Sequence, residues 1–110
     1  MDVPEIDIAM LAELHPGGVP LLDVRQPDEY EEGHVAGAVL VPLPDLAERL
    51  ADVPDSGGGP LYVICAVGGR SRKAAEYLRG AGIDAINIAG GTMGWIEAGG
   101  AVVVGDQPQH

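Results

Sequence analysis

The sequence predicts an α/β domain whose mostly parallel sheet is covered by helices on both faces. Short apolar runs, of the kind that form strands buried on both sides, alternate with segments of helical spacing. The chain has 110 residues, 46% of them hydrophobic, which suits a single domain whose core needs neither a disulfide nor a metal. We therefore expect one domain over residues 1–104 and a flexible C-terminal tail over residues 105–110.

Strands and helices are predicted to alternate from the N-terminus onwards. In the first half, the expected strands are a short edge strand and two apolar runs: Glu5–Ile8, Val19–Val24 and part of Val35–Val41. Capping by Asp7, a proline at a first helical turn and the spacing of leucines predict three helices: Ile8–Leu14, residues 27–32 and Pro44–Leu50. A turn at residues 15–18 separates the first helix from the second strand.

The second half continues the alternation after a glycine-rich loop at Asp55–Pro60, where disorder is expected. Its predicted strands are Leu61–Ile64, Ala85–Ile88 and a short extension at Val102–Val104. Its predicted helices, which end near glycines, are Ser71–Ala81 and Thr92–Ala98. Ligands bind beyond the carboxyl ends of parallel strands. Cys65, which follows the strand Leu61–Ile64, therefore lies where a site is expected.

Cys65 is the only cysteine, and it opens a loop that contains Gly68 and Gly69 and leads into a helix. Glycines allow backbone N–H groups to turn inward as an anion-binding nest, and the helix start adds its positive dipole end. Such surroundings lower the pKa of a thiol and favour the reactive thiolate. A lone cysteine is more often a small buried hydrophobe, and composition alone leaves that alternative open.

Half of the six basic residues follow the loop within four positions, as Arg70, Arg72 and Lys73. Cations at a helix start oppose the helix dipole, so their clustering indicates a positive basin for an anionic substrate. In the alternative interpretation, these side chains point into solvent and pair with Glu76 or with the acidic helix at residues 27–32.

The overall charge and the single cysteine exclude several classes of function. With a formal net charge of −11, the chain is a poor partner for nucleic acid or an anionic membrane, which are bound through Lys and Arg. One cysteine excludes an internal disulfide and a multi-thiolate zinc site. No apolar run approaches the ~20 residues of a membrane span. The N-terminus lacks the features of a signal peptide, so the expected location is the cytoplasm.

Three separated motifs resemble those of the rhodanese-like domain family, in the family's order, between about Glu5 and Val104. The first is the stretch LLDVRQPDEYEEGHVAGAVLVPL, whose matching residues are Asp23, Val24, Arg25, Glu29, Tyr30, Gly33, His34, Gly37, Ala38 and Pro42. The second is the active-site loop with its helix start, Cys65-Ala66-Val67-Gly68-Gly69-Arg70-Ser71. The third consists of Ala89-Gly90-Gly91, Trp95 and Gly99-Gly100.

The resemblance implies a three-layer α/β/α fold with a mostly parallel sheet of about five strands. It implies a sulfurtransferase in which Cys65 attacks the sulfane sulfur of thiosulfate or a persulfide and carries it as a cysteine persulfide. A thiol or cyanide then accepts the sulfur, with no metal and no cofactor. The residues implied to hold the substrate are Ala66, Val67, Gly68, Gly69 and Arg70.

Further residues of the motifs resemble structural positions of the family. Arg70 is expected to close the loop through an acid such as Asp23. Arg25 and Glu29 are expected to form ion pairs under the loop. Two more residues resemble structural or core positions rather than a catalytic base or a ligand contact: His34 and Trp95.

The chain departs from the commonest family pattern at Ala66 and Val67, where many thiosulfate-using members carry a charged or polar residue. This favours a less charged donor, such as a low-molecular-weight persulfide or a partner protein that carries or accepts a persulfide. A partner-dependent sulfur carrier or a non-catalytic binding module is the main alternative. A phosphatase or arsenate reductase is a further one, although in those enzymes the loop has one more residue between its cysteine and its arginine.

Overall fold

Five strands form the central sheet of this computed structural model, which describes residues 2–109. Met1, where the predicted domain begins, and His110, where the predicted tail ends, lie outside the described residues. The strands of the sheet are Glu5–Ile6 (β1), Leu21–Asp23 (β2), Val39–Leu40 (β4), Leu61–Ile64 (β5) and Ala85–Ile88 (β6). Two more strands form a small antiparallel pair, His34–Val35 (β3) and Val102–Val103 (β7). The central sheet has the order β1-β6-β5-β2-β4, and all of its neighbours run parallel.

Helices lie on both faces of this sheet: Ile8–Leu14 (α1), Pro27–Glu32 (α2), Gly69–Gly80 (α3) and Gly91–Glu97 (α4). One core, between the sheet and α3, contains Leu22, Leu61, Val63, Ala74, Ala75, Leu78 and Ala85. The other core, between the sheet and the remaining helices, contains Leu11, Leu21, Tyr30, Tyr62, Ile64, Ile88 and Trp95. The predicted three-layer α/β/α fold with its parallel five-stranded sheet is thereby confirmed. Within residues 2–109, no helix is both long and apolar enough to cross a membrane.

The central strand β5 positions the cysteine. It pairs with β6 on one side and β2 on the other, and all four of its residues are buried. Successive side chains alternate between the two cores, so the strand is apolar without interruption. Because β5 ends at Ile64, Cys65 lies at the carboxyl edge of the sheet and packs on the α3 side.

The prediction of an α-helix at Pro44–Leu50 is wrong. The chain instead makes two separate 3₁₀ turns, Leu43–Asp45 and Leu50–Asp52. Pro44 has no N–H to donate, and the first turn closes through the Asp45 N–H, which donates to Pro42 O at 2.9 Å. Residues three apart lie on the same side of such a turn, so Leu46 still reaches the core and is buried.

The apolar run Val35–Val41 contributes to two sheets instead of one strand. A turn at Ala36 and Gly37 separates β3, which pairs with β7, from β4 of the central sheet. The other predicted helices and strands form within about two residues of their expected bounds. The largest differences near the cysteine are the helix starts, which are Gly69 instead of Ser71 and Gly91 instead of Thr92.

The segment after β7 folds back onto the small antiparallel pair. Gly37 N donates to Pro108 O at 3.0 Å, and Nε2 of His34 lies 2.7 Å from Gln107 O. His34 is fully buried, stacks on the ring of Tyr30 and has its Nδ1 2.8 Å from the Tyr30 carbonyl oxygen. These contacts support a structural position for His34. The mobility expected of the tail stays a prediction.

Candidate active site

Cys65 lies between the end of β5 and the start of α3, in an active-site loop of residues 65–70 whose last two residues form the start of α3. Only 1% of the residue is exposed, so a reactant can approach the sulfur only with a slim terminal group. Among residues 2–109, no group of three or more His, Cys, Asp or Glu side chains is placed to hold a metal ion.

Two hydrogen-bond donors converge on the sulfur. Gly68 N donates to Cys65 Sγ at 3.1 Å, and the Ser71 hydroxyl lies 3.2 Å from the same atom. Gly68 has a φ of +122°, a conformation that residues with a side chain rarely adopt. Glycine is therefore required here for the loop to direct its N–H at the sulfur.

Burial raises the pKa of the Cys65 thiol and is the largest single influence on it. Hydrogen bonds from the Ser71 hydroxyl and from the backbone N–H groups of Ser71, Gly68 and Val67 act in the opposite direction. Together they outweigh burial, so the pKa of Cys65 lies below that of an ordinary thiol. Because the thiolate is the nucleophilic form, the loop favours a reactive sulfur.

Arg70 fastens the loop to α2 through a bidentate ion pair with Glu29. Its Nη1 and Nη2 donate to Glu29 Oε1 and Oε2 at 2.7 and 2.9 Å. The hydrogen bond from Arg70 is the main reason that the pKa of Glu29 is lowered to about 2, and it likewise raises the pKa of Arg70. This ion pair ties the loop to α2.

The partner of Arg70 is not Asp23, the acid expected in that role. Asp23 is fully buried and accepts hydrogen bonds from Arg25 Nη2 at 2.9 Å and Nε at 3.1 Å. Arg25 Nη2 also donates to Gly33 O at 2.9 Å. Arg25 and Glu29 therefore both form ion pairs, but Arg25 does so with Asp23 and Glu29 with Arg70.

We expect Glu29→Gln to lower the free energy of unfolding by about 1 kcal/mol at neutral pH, because it neutralises one partner of a part-exposed bidentate pair. The folded-state pKa of Glu29 is about 2, below its ordinary value of 4.5. The pair therefore contributes fully above about pH 4.5, and its contribution fades as the pH falls towards about 2.

Urea unfolding of the wild type and Glu29→Gln, at about pH 7 and about pH 3, measures this difference. We expect the difference between the two proteins to shrink by about half or more at the lower pH. Glu31→Gln, which changes an exposed acid of the same helix, is the control. A stability difference that is the same at both pH values would contradict the assignment of the pair.

The start of α4 supports the loop from its other side. Thr92 N donates to Cys65 O at 2.8 Å, and Met93 N donates to Ala66 O at 3.0 Å. Gly91 approaches so closely that a Cβ there would lie 2.5 Å from Ala66 O and 2.6 Å from Cys65 O. The glycine of the third motif is thus needed for close packing against the first two loop residues.

The arginines after the loop are paired with acids. Besides the pair of Arg70 with Glu29, Arg72 lies 3.6 Å from Glu5 and 3.9 Å from Glu76. The alternative interpretation, in which these cations pair with Glu76 or with the acidic helix, is therefore the one that the structure supports for both arginines. A positive basin at the loop is weaker than the clustering in the sequence predicts.

Apolar side chains are exposed on the loop and on α4. Val67 is 69% exposed, Ala66 adds no charge, and Met93 and Ile96 of α4 are exposed nearby. Met93 and Ile96 also line a groove of about 260 Å³, whose other lining residues include three charged ones, Arg25, Glu29 and Glu32. The two loop residues that follow Cys65 therefore bring no charge to the sulfur.

The sequence predicts neither Ser71 nor Asn87 as a site residue, yet both belong to the network around the sulfur. The Ser71 hydroxyl lies 2.5 Å from Asn87 Oδ1, and Asn87 Nδ2 donates to Gly68 O at 3.3 Å. A signal for Asn87 is present in the sequence, because it is the polar residue of an otherwise apolar strand, β6. Ser71 forms part of the second motif, but nothing in its spacing indicates a contact with Cys65.

Residues 9–98 match the family described as Rhodanese-like domain. The chain is 36% identical over 70 residues to the thiosulfate sulfurtransferase PspE of Escherichia coli. The matched region covers 64% of this chain and 67% of that protein. It is 33% identical over 98 residues to the putative sulfurtransferase YtwF of Bacillus subtilis, covering 86% of this chain and 92% of that protein.

Other curated relatives are matched over a smaller part of their length. The chain spans 59% of the uncharacterized protein YqhL of Bacillus subtilis, with 40% identity over 76 residues and 68% of this chain covered. It spans 40% of the putative sulfur carrier protein YrkF of the same organism, with 34% identity over 76 residues and again 68% of this chain covered.

Solved structures show the same architecture. The crystal structure of a rhodanese-related protein from Thermoplasma volcanium is similar with a TM-score of 0.82 and 34% identity, over 92% of this chain and 98% of that chain. The crystal structure of a rhodanese-like domain protein from Staphylococcus aureus is similar with a TM-score of 0.80 and 29% identity, over 93% of this chain and 98% of that chain. The chain belongs to the rhodanese-like domain family.

Proposed function

We propose that the chain is a sulfurtransferase that moves sulfane sulfur to a thiol or cyanide through a persulfide of Cys65. The observation that carries this proposal is the pair of donors, Gly68 N and the Ser71 hydroxyl, that surround Cys65 Sγ. The names of two relatives, a thiosulfate sulfurtransferase and a putative sulfurtransferase, support sulfur transfer. The residues proposed to hold the substrate are Ala66, Val67, Gly68, Gly69 and Arg70.

In the first half-reaction, the Cys65 thiolate attacks the outer sulfur of the donor. A new S–S bond forms to Sγ while the S–S bond of the donor breaks, and its electron pair leaves on the donor remainder as a thiolate or, from thiosulfate, as sulfite. The transferred sulfur then carries the negative charge, which inward-facing N–H groups of the loop stabilise. No separate base is needed, because the lowered pKa of Cys65 already favours the thiolate.

In the second half-reaction, the acceptor attacks the outer sulfur of the persulfide. The bond between that sulfur and Sγ breaks, and its electron pair returns to Sγ, which becomes a thiolate again. A thiol acceptor leaves as a persulfide and cyanide leaves as thiocyanate. Electrons balance over the cycle, so the transfer needs no external oxidant or reductant.

The uncharged loop residues Ala66 and Val67 favour a donor that brings little charge to the sulfur. Ala66 and Val67 supply no cation, and the guanidinium of Arg70 is already bound by a carboxylate. Thiosulfate carries two negative charges on the group that must enter. A low-molecular-weight thiol persulfide keeps its other charges several bonds away from the reacting sulfur, and is therefore the proposed small-molecule donor.

We expect kcat/KM for glutathione persulfide to exceed that for thiosulfate by at least about tenfold, because Ala66 and Val67 carry no charge and Arg70 is already paired with Glu29. A cation introduced by Val67→Lys should raise kcat/KM for thiosulfate about three- to tenfold and change that for the persulfide little. Steady-state rates of thiocyanate formation from cyanide measure both effects. Val67→Met is the matched uncharged control. A much higher kcat/KM of the wild type for thiosulfate than for the persulfide would contradict the proposed donor.

A partner-dependent sulfur carrier is the second candidate. It is supported by the name of YrkF, a putative sulfur carrier protein, and by the exposed apolar residues Val67, Met93 and Ile96 on the loop and on α4. Such a carrier would accept sulfur from the persulfide of a partner protein but from neither small donor. In both cases we propose the cytoplasm as the location, since its thiol pools keep cysteines reduced.

A further inference from the structure

A buried polar pair, Ser71 and Asn87, lies behind Cys65 on the α3 side of the sheet. Ser71 is fully buried in the first turn of α3, and Asn87 on β6 is only 2% exposed. Because β6 lies next to β5 in the sheet, its amide reaches the helix that follows the cysteine loop. Polar groups buried this deeply are costly unless they are hydrogen-bonded, so the direction of each hydrogen bond matters.

The single hydroxyl hydrogen of Ser71 has three acceptors in reach. Cys65 Sγ and Gly68 O each lie 3.2 Å from the hydroxyl oxygen, and Asn87 Oδ1 lies at 2.5 Å. When the sulfur is a neutral thiol, the shortest contact favours donation from Ser71 to Asn87, and a lone pair of Ser71 then faces the sulfur. Asn87 Nδ2 meanwhile donates to Gly68 O. This arrangement suits a neutral thiol, whose S–H donates a hydrogen bond to the hydroxyl oxygen of Ser71.

When the sulfur is a thiolate, the hydrogen bond between Ser71 and Cys65 must run in the opposite direction. The ionised sulfur only accepts, so Ser71 must donate to it, and the hydroxyl oxygen then faces Asn87 with a lone pair. An amide can meet that lone pair by turning its end group through half a rotation, which puts Nδ2 where Oδ1 was. The rotation gives up the hydrogen bond from Nδ2 to Gly68 O, which still accepts one from Arg72 N at 3.1 Å. An apolar side chain offers neither a donor nor an acceptor, and a carboxylate offers only acceptors.

We propose that Asn87 is a positioning residue that, through Ser71, reverses the hydrogen bond at Cys65 when the sulfur changes between thiol and thiolate. Asn87 does not touch the sulfur or a substrate. The proposal deepens the sulfurtransferase function and rests on it for the use of the thiolate. Its readouts need no sulfur donor, so they succeed or fail independently of sulfur transfer.

Charged groups near the sulfur come from α3, α2 and the end of β2. Arg70 is the cation whose charge acts on Cys65, and the charge of Asp23 in turn acts on Arg70. The set consists of two ion pairs, Arg70 with Glu29 and Arg25 with Asp23. β6 has no charged residue, and the one acid of α4 is exposed at the last residue of that helix. Variants of Ser71 and Asn87 leave all these charges in place, so their effect on the thiol pKa reports hydrogen bonding.

An NMR titration of the wild type tests the proposal without any variant. The side-chain amide ¹⁵N and ¹H signals of Asn87 should shift with the same midpoint as the ¹³Cβ signal of Cys65. In Ser71→Ala, the Asn87 signals should no longer follow that midpoint. Asn87 signals that stay constant through the Cys65 titration would overturn the proposal.

Thiol pKa values, measured by thiolate absorbance, provide the second test. Ser71→Ala should raise the pKa of Cys65 by about one to two units. Asn87→Leu, which keeps the size of the side chain, should raise it by about half a unit to one unit. The bond from Asn87 to Ser71 is strengthened when Ser71 donates to a charged sulfur, so its loss costs the thiolate more than the thiol. The double variant should match Ser71→Ala alone, since Asn87 acts only through Ser71.

The proposed action of Asn87 through Ser71 is called the relay below. It would be contradicted if Asn87→Leu shifted the pKa of Cys65 equally without Ser71, or did not shift it at all in a folded protein. Urea unfolding establishes that each variant folds, and if Asn87→Leu does not, the wild-type titration decides. If the relay is present but Cys65 takes up no sulfur, the sulfurtransferase proposal fails while the relay stands. If sulfur transfer occurs and the Asn87 signals are constant, only the relay is wrong.

Discussion

Cys65→Ser should abolish sulfur transfer and leave the fold intact. A serine hydroxyl is not ionised near neutral pH and forms no persulfide, so we expect kcat/KM to fall by at least about 10³-fold. Serine is close to cysteine in size and can still accept hydrogen bonds from Gly68 N and Ser71. The free energy of unfolding should therefore change by no more than about 1 kcal/mol.

Thiocyanate formation from cyanide with glutathione persulfide measures the activity, and urea unfolding measures the stability. Ser71→Ala is an informative companion, because it keeps the thiol and removes only one donor to it. We expect that variant to lose about tenfold or less at neutral pH. If Cys65→Ser kept more than about a tenth of the wild-type rate, sulfur would have to move by a route that does not use this residue.

Gly91→Ala is expected to lower the free energy of unfolding by about 3 kcal/mol or more and to reduce sulfur transfer at least about tenfold. The added Cβ would lie 2.5 Å from Ala66 O and 2.6 Å from Cys65 O, at a φ of +61°. Both neighbours are backbone atoms of the cysteine loop and cannot rotate away. The overlap must therefore displace the loop that carries Cys65.

Alanine variants of two other glycines are controls that distinguish the steric overlap at Gly91 from the strain of a positive φ. Gly99 also has a positive φ, +88°, but a Cβ there meets nothing within 4 Å, so Gly99→Ala should cost only about 1–2 kcal/mol. Gly17 has open space and no positive φ, and Gly17→Ala should lie within about 0.5 kcal/mol of the wild type. Urea unfolding of the three variants gives the comparison. Equal losses for Gly91→Ala and Gly99→Ala would contradict close packing of α4 on the loop.

The central layers of the fold could be predicted because their signals are local. β2, β5 and β6 lie inside the sheet and are mostly buried, and such strands are rich in apolar residues; the exceptions are Asp23 at the end of β2 and Asn87 in β6. The position of Cys65 follows from the end of β5, since the next residue of a parallel strand reaches the carboxyl edge. Glycines at 68 and 69 similarly indicate a tight loop before α3.

Several features escaped prediction because they depend on contacts far apart in the chain. The run Val35–Val41 divides between two sheets only because β7, near the C-terminus, pairs with β3. Leucine spacing alone cannot distinguish an α-helix from the 3₁₀ turns around Pro44.

The ion pairs and hydrogen bonds of the site also depend on contacts between residues far apart in the chain. Asp23 and Glu29 are both acids of the first motif, and only the folded geometry shows that Glu29, 41 positions before Arg70, is its partner. Asn87 reaches Ser71 because the strand order places β6 beside β5. A polar residue in a buried strand is detectable in the sequence, but its partner is not.

Intact-mass analysis after incubation with glutathione persulfide tests most directly whether Cys65 carries sulfur. The wild type should gain about 32 Da, the mass of one sulfur atom, and lose it again when cyanide is added. Cys65→Ser should gain nothing under the same conditions. No gain by a folded wild-type protein with a reduced thiol would contradict the proposed small-molecule persulfide reaction and favour a carrier that depends on a partner.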